Sequence, residues 1–259
     1  MTEPPSLREK IVNGPTLYGI AASSMCPAAV EVVGLCGYDF VWLELEHAST
    51  DYGQLEHLIR AAELRGLIPQ ARAAEWNRTS ILRVLEAGAK VVVVPQVHTP
   101  EQAAAVVEHA KYPPVGARGY NTGSRGLLYG FSGANAEEIF ARANREVCLL
   151  VQIESVQAVE NAESIVRTEG VDGILIGPGD LSTSMGINSQ WDNQELLQTM
   201  EQVFRIAQKY QKVTATVTPT VGMLRRWQDL GVNTLTLGGD LGLLRTVLTA
   251  KLQEAKGGA

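Results

Sequence analysis

The sequence predicts a (β/α)8 barrel that is followed by an extra C-terminal helix. Eight short apolar runs alternate with longer helix-like stretches along 259 residues, a number and a length typical of this fold. The runs are mostly continuous rather than alternating in polarity, as expected for parallel strands that are covered on both faces. A doubly wound open sheet is the alternative, but no Gly-x-Gly-x-x-Gly turn follows the first run. We expect one barrel domain over residues 1–259.

The apolar runs and the stretches between them define the predicted elements. The predicted strands, in chain order, are 17–22, 39–45, 67–72, 91–95, 147–153, 173–177, 213–217 and 234–238. The predicted helices are 27–35, 52–65, 78–88, 100–110, 135–144, 156–168, 193–210 and 220–230. Proline lies where two helices begin, and glycine lies at the end of several others. A last apolar helix, 241–252, is expected to close the barrel or to pack on a partner subunit.

The interval between the fourth and fifth predicted strands departs from the regular spacing. It holds a Gly- and Arg-rich segment, residues 112–126, between two helical stretches. Long irregular loops inside compact domains are more often functional than idle. We therefore expect this loop to have a functional role.

The composition is that of an ordinary globular protein, and the chain is expected to be soluble and cytoplasmic. The net charge of −6 argues against a nucleic-acid or anionic-membrane surface, where a basic patch is expected. Residues 1–10 lack the apolar core of a signal peptide, and no apolar run is long enough to span a bilayer. The three widely spaced cysteines, Cys26, Cys36 and Cys148, fit reduced thiols in a cytoplasmic protein better than a disulfide framework.

Two strand ends carry carboxylates. Glu154 follows the run 147–153, and Asp180 follows the run 173–177, so the two acids are 26 residues apart, about one strand–helix–strand unit. Adjacent parallel strands would present them side by side at the C-terminal rim, where barrel enzymes place their chemistry. Paired carboxylates suit a divalent cation such as Mg²⁺ or Mn²⁺. The alternative is two solvated rim acids.

Other ionisable residues end the second and third predicted strands. His47 is a candidate general base, although a lone histidine is as often structural, and Glu86 is a candidate partner, although it is more simply a solvated helix carboxylate. Arg72 is a candidate for gripping a carboxylate or an enolate oxygen, and a salt bridge to Glu44 or Glu46 is the alternative.

The Gly177-Pro178-Gly179 turn precedes Asp180. Its backbone N–H groups can bind a substrate carboxylate, or the glycines can simply permit a tight turn.

Four segments carry a resemblance to the HpcH/HpaI family of class II, metal-dependent pyruvate aldolases. These segments are GYDFVWLELEH (37–47), LEAGAKVVVVPQV (85–97), YPPVGARG (112–119) and LLVQIES…GVDGILIGPGDLSTSMG (149–186). The last segment is the most specific match, and the resemblance covers nearly the whole chain. It implies a TIM barrel of the phosphoenolpyruvate/pyruvate type and a homo-oligomer, commonly a hexamer built as a trimer of dimers with exchanged C-terminal helices.

The resemblance also implies roles for individual residues. Glu154 and Asp180 match the metal-binding carboxylates, for which Mg²⁺ or Mn²⁺ is expected and Co²⁺ is a further candidate. Arg72 is implied to bind the pyruvate C2 oxygen, and His47 to act as acid/base with Glu86 as its carboxylate partner. The backbone amides of Gly179 and Asp180 are implied to bind the pyruvate carboxylate. Glu44 is implied to lie near the site, and Gln152 beside the metal.

Two departures from the family pattern bear on the reaction. Glutamate replaces the usual aspartate at both Glu44 and Glu86, and residues 120–126 differ from the commoner aldolase loop. We expect aldol cleavage and formation of 4-hydroxy-2-oxo acids from pyruvate and an aldehyde. An oxaloacetate decarboxylase or a citrate-type condensing enzyme is the alternative, and a non-catalytic 2-oxo-acid binding protein is the third hypothesis.

Overall fold

The barrel predicted from the sequence is confirmed. The computed structural model describes residues 5–49 and 51–257, so residues 1–4 of the N-terminal segment and both ends of the predicted 1–259 domain lie outside the described residues. Eight parallel strands close into one barrel in sequence order. The strands are β1 (Leu17–Ala22), β2 (Phe40–Glu44), β3 (Ile68–Arg72), β4 (Val91–Val94), β5 (Cys148–Ile153), β6 (Gly173–Ile176), β7 (Val213–Val217) and β8 (Thr234–Gly239).

Helices surround the strands. They are α1 (Leu7–Asn13), α2 (Pro27–Leu35), α3 (Tyr52–Leu64), α4 (Arg78–Ala87), α5 (Pro100–Ala110), a 3-10 helix (Arg125–Gly130), α6 (Ala136–Glu146), α7 (Val156–Glu160), α8 (Ala162–Arg167), α9 (Pro178–Ser184), α10 (Gln194–Lys209), α11 (Val221–Leu230) and α12 (Asp240–Ala255). Each strand bound lies within one residue of its predicted position. The extra C-terminal helix is present as α12.

Local hydrogen bonds explain where the helices differ from the predictions. The predicted helix 156–168 is broken at Asn161, whose side-chain amide donates to the carbonyl of His98 at 2.9 Å. The short helix α1 was not predicted; it begins with a capping box in which Ser6 and Glu9 each accept the other's backbone N–H. The short helix α9 was not predicted either, and it begins at Pro178, a favoured first residue.

The strands separate two packed layers, because successive side chains point to opposite faces. Inward-facing residues such as Trp42, Leu150 and Leu175 fill the barrel interior, and Ile11 of α1 packs into the same inner cluster. Outward-facing residues such as Val41 pack against the surrounding helices. The interior is therefore a filled core, and open space remains only at the rims.

Strand register determines which side chains meet at the C-terminal rim. Glu44 at the end of β2 is paired with Arg72 at the end of β3. Ile153 of β5 is paired with Ile176 of β6, so the next residues, Glu154 and Gly177, lie side by side. The expectation that Asp180 stands beside Glu154 at a strand end is corrected, because Asp180 lies in the first turn of α9.

Two arginines stabilise the Gly- and Arg-rich loop over residues 112–126, Arg118 by a contact within the loop and Arg125 by a contact to α4. Arg118 is buried and its guanidinium lies 4.6 Å from the ring centroid of Tyr112. Arg125 donates to the carbonyl of Ala87 at 3.0 Å. These contacts give the two arginines structural partners, and the functional role of the loop stays a prediction.

Candidate active site

Arg72 is held at the rim by two carboxylates. Its Nε lies 3.1 and 2.9 Å from the two carboxylate oxygens of Glu44, and its Nη2 lies 2.6 Å from Oε2. Its Nη1 lies 2.9 Å from Oε2 of Glu46, and its guanidinium lies 5.3 Å from the ring centroid of Trp42. The salt bridge considered as an alternative is therefore present, and to both glutamates. Arg72 nevertheless lines the rim cavity, so its predicted contact with substrate stays a prediction.

His47 is the exposed member of this group. Its side chain is 65% exposed, and its Nε2 lies 4.0 Å from Oε2 of Glu46. Its backbone N–H donates to Glu44 at 3.2 Å, so Glu44 fixes both Arg72 and the turn that carries the histidine. Burial raises the pKa of Glu46, and the positive charge of Arg72 partly offsets that effect.

Glu86 lies elsewhere on the barrel. It is half-buried on α4, where its charge acts on Arg118 and Tyr112. Burial lowers the pKa of Arg118, and Tyr112 and Glu86 partly offset that effect. No hydrogen bond or ion pair links Glu86 to His47 within the described part of the chain, where Glu46 is the nearer carboxylate. The predicted pairing of Glu86 with His47 stays a prediction.

Glu154 is a buried carboxylate with two donors. It is 3% exposed; Gln96 donates its backbone N–H to Oε1 at 2.7 Å, and the Gln152 amide donates to Oε2. Burial raises the pKa of Glu154 to about 7, despite the hydrogen bond from Gln96 and with further contributions from the charges of Glu46 and Asp180. The contribution from Asp180 indicates that its charge lies close enough to act on Glu154.

The surroundings of Glu154 fit a hard cation. The Gln152 side-chain oxygen is buried without a hydrogen-bond partner, and Asp180 lines the adjoining cavity. A Cβ on Gly177 would lie 3.1 Å from Glu154 Oε2 and 2.7 Å from the Gln152 amide nitrogen, so glycine keeps this space open. No group of three or more His, Cys, Asp or Glu in residues 5–49 and 51–257 could hold a metal ion. Two carboxylates and an amide oxygen would thus need water or substrate to complete a hard-cation shell.

A cavity of about 360 Å³ opens beside these residues. It is lined by Ala21, Trp42, Glu44, His47, Arg72, Gln152, Gly177, Pro178, Gly179, Asp180, Trp191, Val217, Pro219 and Thr236. The barrel thus brings together all the residues proposed from the sequence except Glu86, with Glu154 beneath the cavity beside Gln152 and Gly177.

Sequence reasoning missed three residues of this site. Gln96 follows β4 with a left-handed backbone (φ 59°), and no glycine or asparagine signalled that turn. Trp42 was read only as part of an apolar strand, and Trp191 lies in a segment to which no function was given. An inward-facing tryptophan two residues before a strand end that carries a carboxylate is a signal that could have identified Trp42.

Comparisons with known proteins show which family and which solved structures this chain is similar to. The profile of the family described as HpcH/HpaI aldolase/citrate lyase matches residues 18–246. The 5-keto-4-deoxy-D-glucarate aldolase of Klebsiella pneumoniae is 34% identical over 88% of each chain. The 2-keto-3-deoxy-L-rhamnonate aldolase of the same organism is 33% identical over 95% of this chain and 91% of the relative. The crystal structure of citrate synthase SbnG superimposes with a TM-score of 0.87, 31% identity and 97% coverage of both chains.

Within the described part of the chain, every helix is too short or too polar to cross a membrane.

Proposed function

The chain belongs to the HpcH/HpaI aldolase/citrate lyase family, and from that membership we propose that it cleaves and forms 4-hydroxy-2-oxo acids through a pyruvate enolate and an aldehyde. It is a carbon–carbon lyase. The observation that carries the proposal is that Arg72, Asp180 and Gln152 line one cavity. Arg72 is held by Glu44, and Glu154 accepts a hydrogen bond from Gln152. An anionic 2-oxo acid needs such a pairing of a fixed positive charge with a cation site.

The family is in general dependent on a divalent metal ion. Here Glu154 and Asp180 would hold the ion, with the unpartnered oxygen of Gln152 beside it. Bound there, Mg²⁺ or Mn²⁺, with Co²⁺ as a further candidate, would act as a Lewis acid that stabilises negative charge on the substrate's C2 oxygen.

Residues of the chain itself would bind and orient the substrate. Arg72 places a second positive charge where the enolate oxygen develops, and Glu44 and Glu46 fix its orientation. Gly179 and Asp180 lie in the first turn of α9, where backbone N–H groups have no helical partner. Both residues line the cavity, and their amides would bind the substrate carboxylate.

Proton transfer is assigned to His47. The exposed imidazole takes the proton of the C4 hydroxyl, the C3–C4 bond breaks, and its electron pair passes to C3 as the aldehyde leaves. A proton returned to C3 gives pyruvate, and the addition reaction runs these steps in reverse. Glu46, at 4.0 Å from the imidazole, is the carboxylate of the same chain that is placed to orient it. The pairing of Glu86 with His47, implied by the family resemblance, stays a prediction.

A second function is favoured by the likeness to citrate synthase SbnG. In that case the same arginine and oxygen set would act on oxaloacetate, either by releasing its carboxylate or by adding its enolate to another acceptor. Decarboxylation breaks the C3–C4 bond of oxaloacetate and releases CO2, with no hydroxyl proton to remove, so this alternative depends less on His47 than aldol cleavage does. Comparing pyruvate release from oxaloacetate with aldol cleavage in the wild type and in His47→Ala would separate them.

The proposal is tested by exchange of the pyruvate C3 protons with deuterium. We expect exchange with Mg²⁺ or Mn²⁺ present, its loss after chelation, and its loss in Glu154→Ala. The matched control is Glu160→Ala, because Glu160 is an exposed glutamate on the next helix. Exchange that persists without metal, or metal affinity retained by Glu154→Ala, would remove Glu154 from its assigned role.

We further propose that the chain works as one domain over residues 1–259 and assembles as a homo-oligomer, a hexamer by resemblance to its family. This is supported by α12, which buries none of its residues and exposes Leu244, Val247 and Leu248 by 53%, 57% and 60%. Apolar surface of this kind marks an interaction site. Leu248→Glu should lower the mass measured by light scattering, whereas Lys251→Glu, on the same helix, should not.

A cytoplasmic location is proposed on the sequence alone.

A further inference from the structure

One sector of the rim cavity is apolar. The strands β7, β8 and β1 are neighbours in the closed barrel, and they or their following loops contribute Val217, Pro219, Thr236 and Ala21 to the lining. The charged groups Glu44, Arg72 and Asp180 come instead from β2, β3 and the helix α9 that follows β6. The cavity therefore has a charged side and an apolar side.

We propose that the apolar side is the acceptor subsite, that it takes aldehydes with an uncharged, apolar substituent, and that Trp191 determines this specificity. The inference rests on the proposed function, since an acceptor is needed only if the charged side holds a 2-oxo acid. Trp191 is a half-buried indole that packs on the barrel core and lines the cavity. Trp42 adds a second indole to the cavity lining, and it is 4% exposed.

Trp191 is held in place by its loop. The hydroxyl of Ser182 on α9 accepts the N–H of Ser189 at 3.0 Å, and the Ser182 carbonyl accepts the N–H of Asn188 at 3.1 Å. Asn188 and Ser189 both have left-handed backbones, with φ of 43° and 60°, and the N–H of Trp191 then donates to the Ser189 carbonyl at 3.0 Å. Such strained conformations persist where surrounding contacts enforce them, often at functional sites.

The charges of the lining disfavour an acceptor that carries its own carboxylate. Arg72 is the one arginine or lysine among the lining residues, all of which are described, and its guanidinium is engaged by Glu44 and Glu46. A second carboxylate, on the acceptor, would find no arginine or lysine on the apolar side of the cavity. An alkyl substituent would instead remove apolar surface from water against Trp191 and Val217.

The test compares two acceptors of equal length, butanal and succinic semialdehyde, in aldol addition to pyruvate with Mn²⁺. We expect the wild type to prefer butanal in kcat/KM by at least about tenfold, the scale of a methylene-sized apolar contact. Trp191→Ala should lower kcat/KM for butanal by a similar factor and should change kcat/KM for succinic semialdehyde less. Trp191→Leu should restore part of the kcat/KM for butanal that Trp191→Ala loses. Trp76→Ala, at an exposed tryptophan outside the cavity lining, is the matched control and should leave the preference unchanged.

Pyruvate proton exchange, measured without aldehyde, separates the possible failures. Normal exchange in Trp191→Ala shows that the variant is folded and that the pyruvate side is intact. A wild type that prefers succinic semialdehyde, or a Trp191→Ala variant that loses both acceptors equally, overturns the inference and leaves the aldolase function standing. Absence of exchange in the wild type removes the proposed function and, with it, the acceptor subsite.

Discussion

The buried carboxyl of Glu154 predicts an unusual dependence of stability on pH. Its ordinary pKa of 4.5 is raised by burial to about 7 in the folded protein. Between these two pH values the folded state binds more protons than the unfolded state, so the free energy of unfolding falls as the pH rises. At about 1.4 kcal/mol per pH unit, this interval corresponds to a loss of about 3 kcal/mol in the metal-free protein.

The perturbation that tests this reasoning is Glu154→Gln, which keeps the shape of the side chain and removes its titration. The variant should gain stability relative to the wild type from pH 5 to pH 8, by up to about 3 kcal/mol when metal is absent. The assay is urea unfolding followed by circular dichroism at fixed protein concentration and with a chelator. Adding Mn²⁺ at pH 8 should stabilise the wild type and have little effect on Glu154→Gln, because a bound cation replaces the proton.

The control for this experiment is Glu160→Gln, an exposed glutamate on α7 whose curve should run parallel to that of the wild type. If Glu154→Gln also runs parallel to the wild type across the whole pH range, the burial argument is wrong. A wild type that gains stability between pH 5 and pH 8 relative to Glu154→Gln would reverse the sign and refute it more strongly.

Three further substitutions test other contacts. Glu44→Ala removes the main partner of Arg72 and should lower the free energy of unfolding by up to about 3 kcal/mol, with weaker pyruvate binding in calorimetry, whereas Glu44→Gln should lose less. Gln96→Val should cost about 1–2 kcal/mol in urea unfolding because φ is 59°, and Gln96→Gly should be tolerated; equal costs would contradict the strain argument. Lys111→Met should cost about 3–5 kcal/mol by leaving Asp172 without its buried ion pair, and a neutral result would mean that the pair adds nothing.

Much of the fold was accessible from the sequence because its signals are local. Continuous apolar runs identified the strands, and prolines and glycines marked many helix bounds. The short helices α1 and α9 escaped prediction, since a seven-residue helix has too few turns to show a periodic pattern. The break at Asn161 was also missed, because its hydrogen bond reaches His98, a residue distant in the sequence.

For the candidate site, the sequence predicted individual residues but not the contacts between them. Spacing and strand ends identified Glu154 and Arg72, whereas Trp191 reaches the cavity only because its loop is folded back on α9. The partner of His47 shows the same limit. The family resemblance favoured Glu86 as that partner, whereas in the structure the adjacent Glu46 lies near the imidazole.

The sequence by itself determined the number and order of the strands, the residues at their C-terminal ends and the family to which the chain belongs. These properties follow from residue types at fixed spacing along one chain. Only the tertiary structure decided that Arg72 is held by two glutamates, that Glu154 is buried deeply enough for its pKa to reach about 7, and that one side of the cavity is apolar. Charge pairing and burial depend on strand register and loop paths, which bring together side chains that are far apart in the sequence.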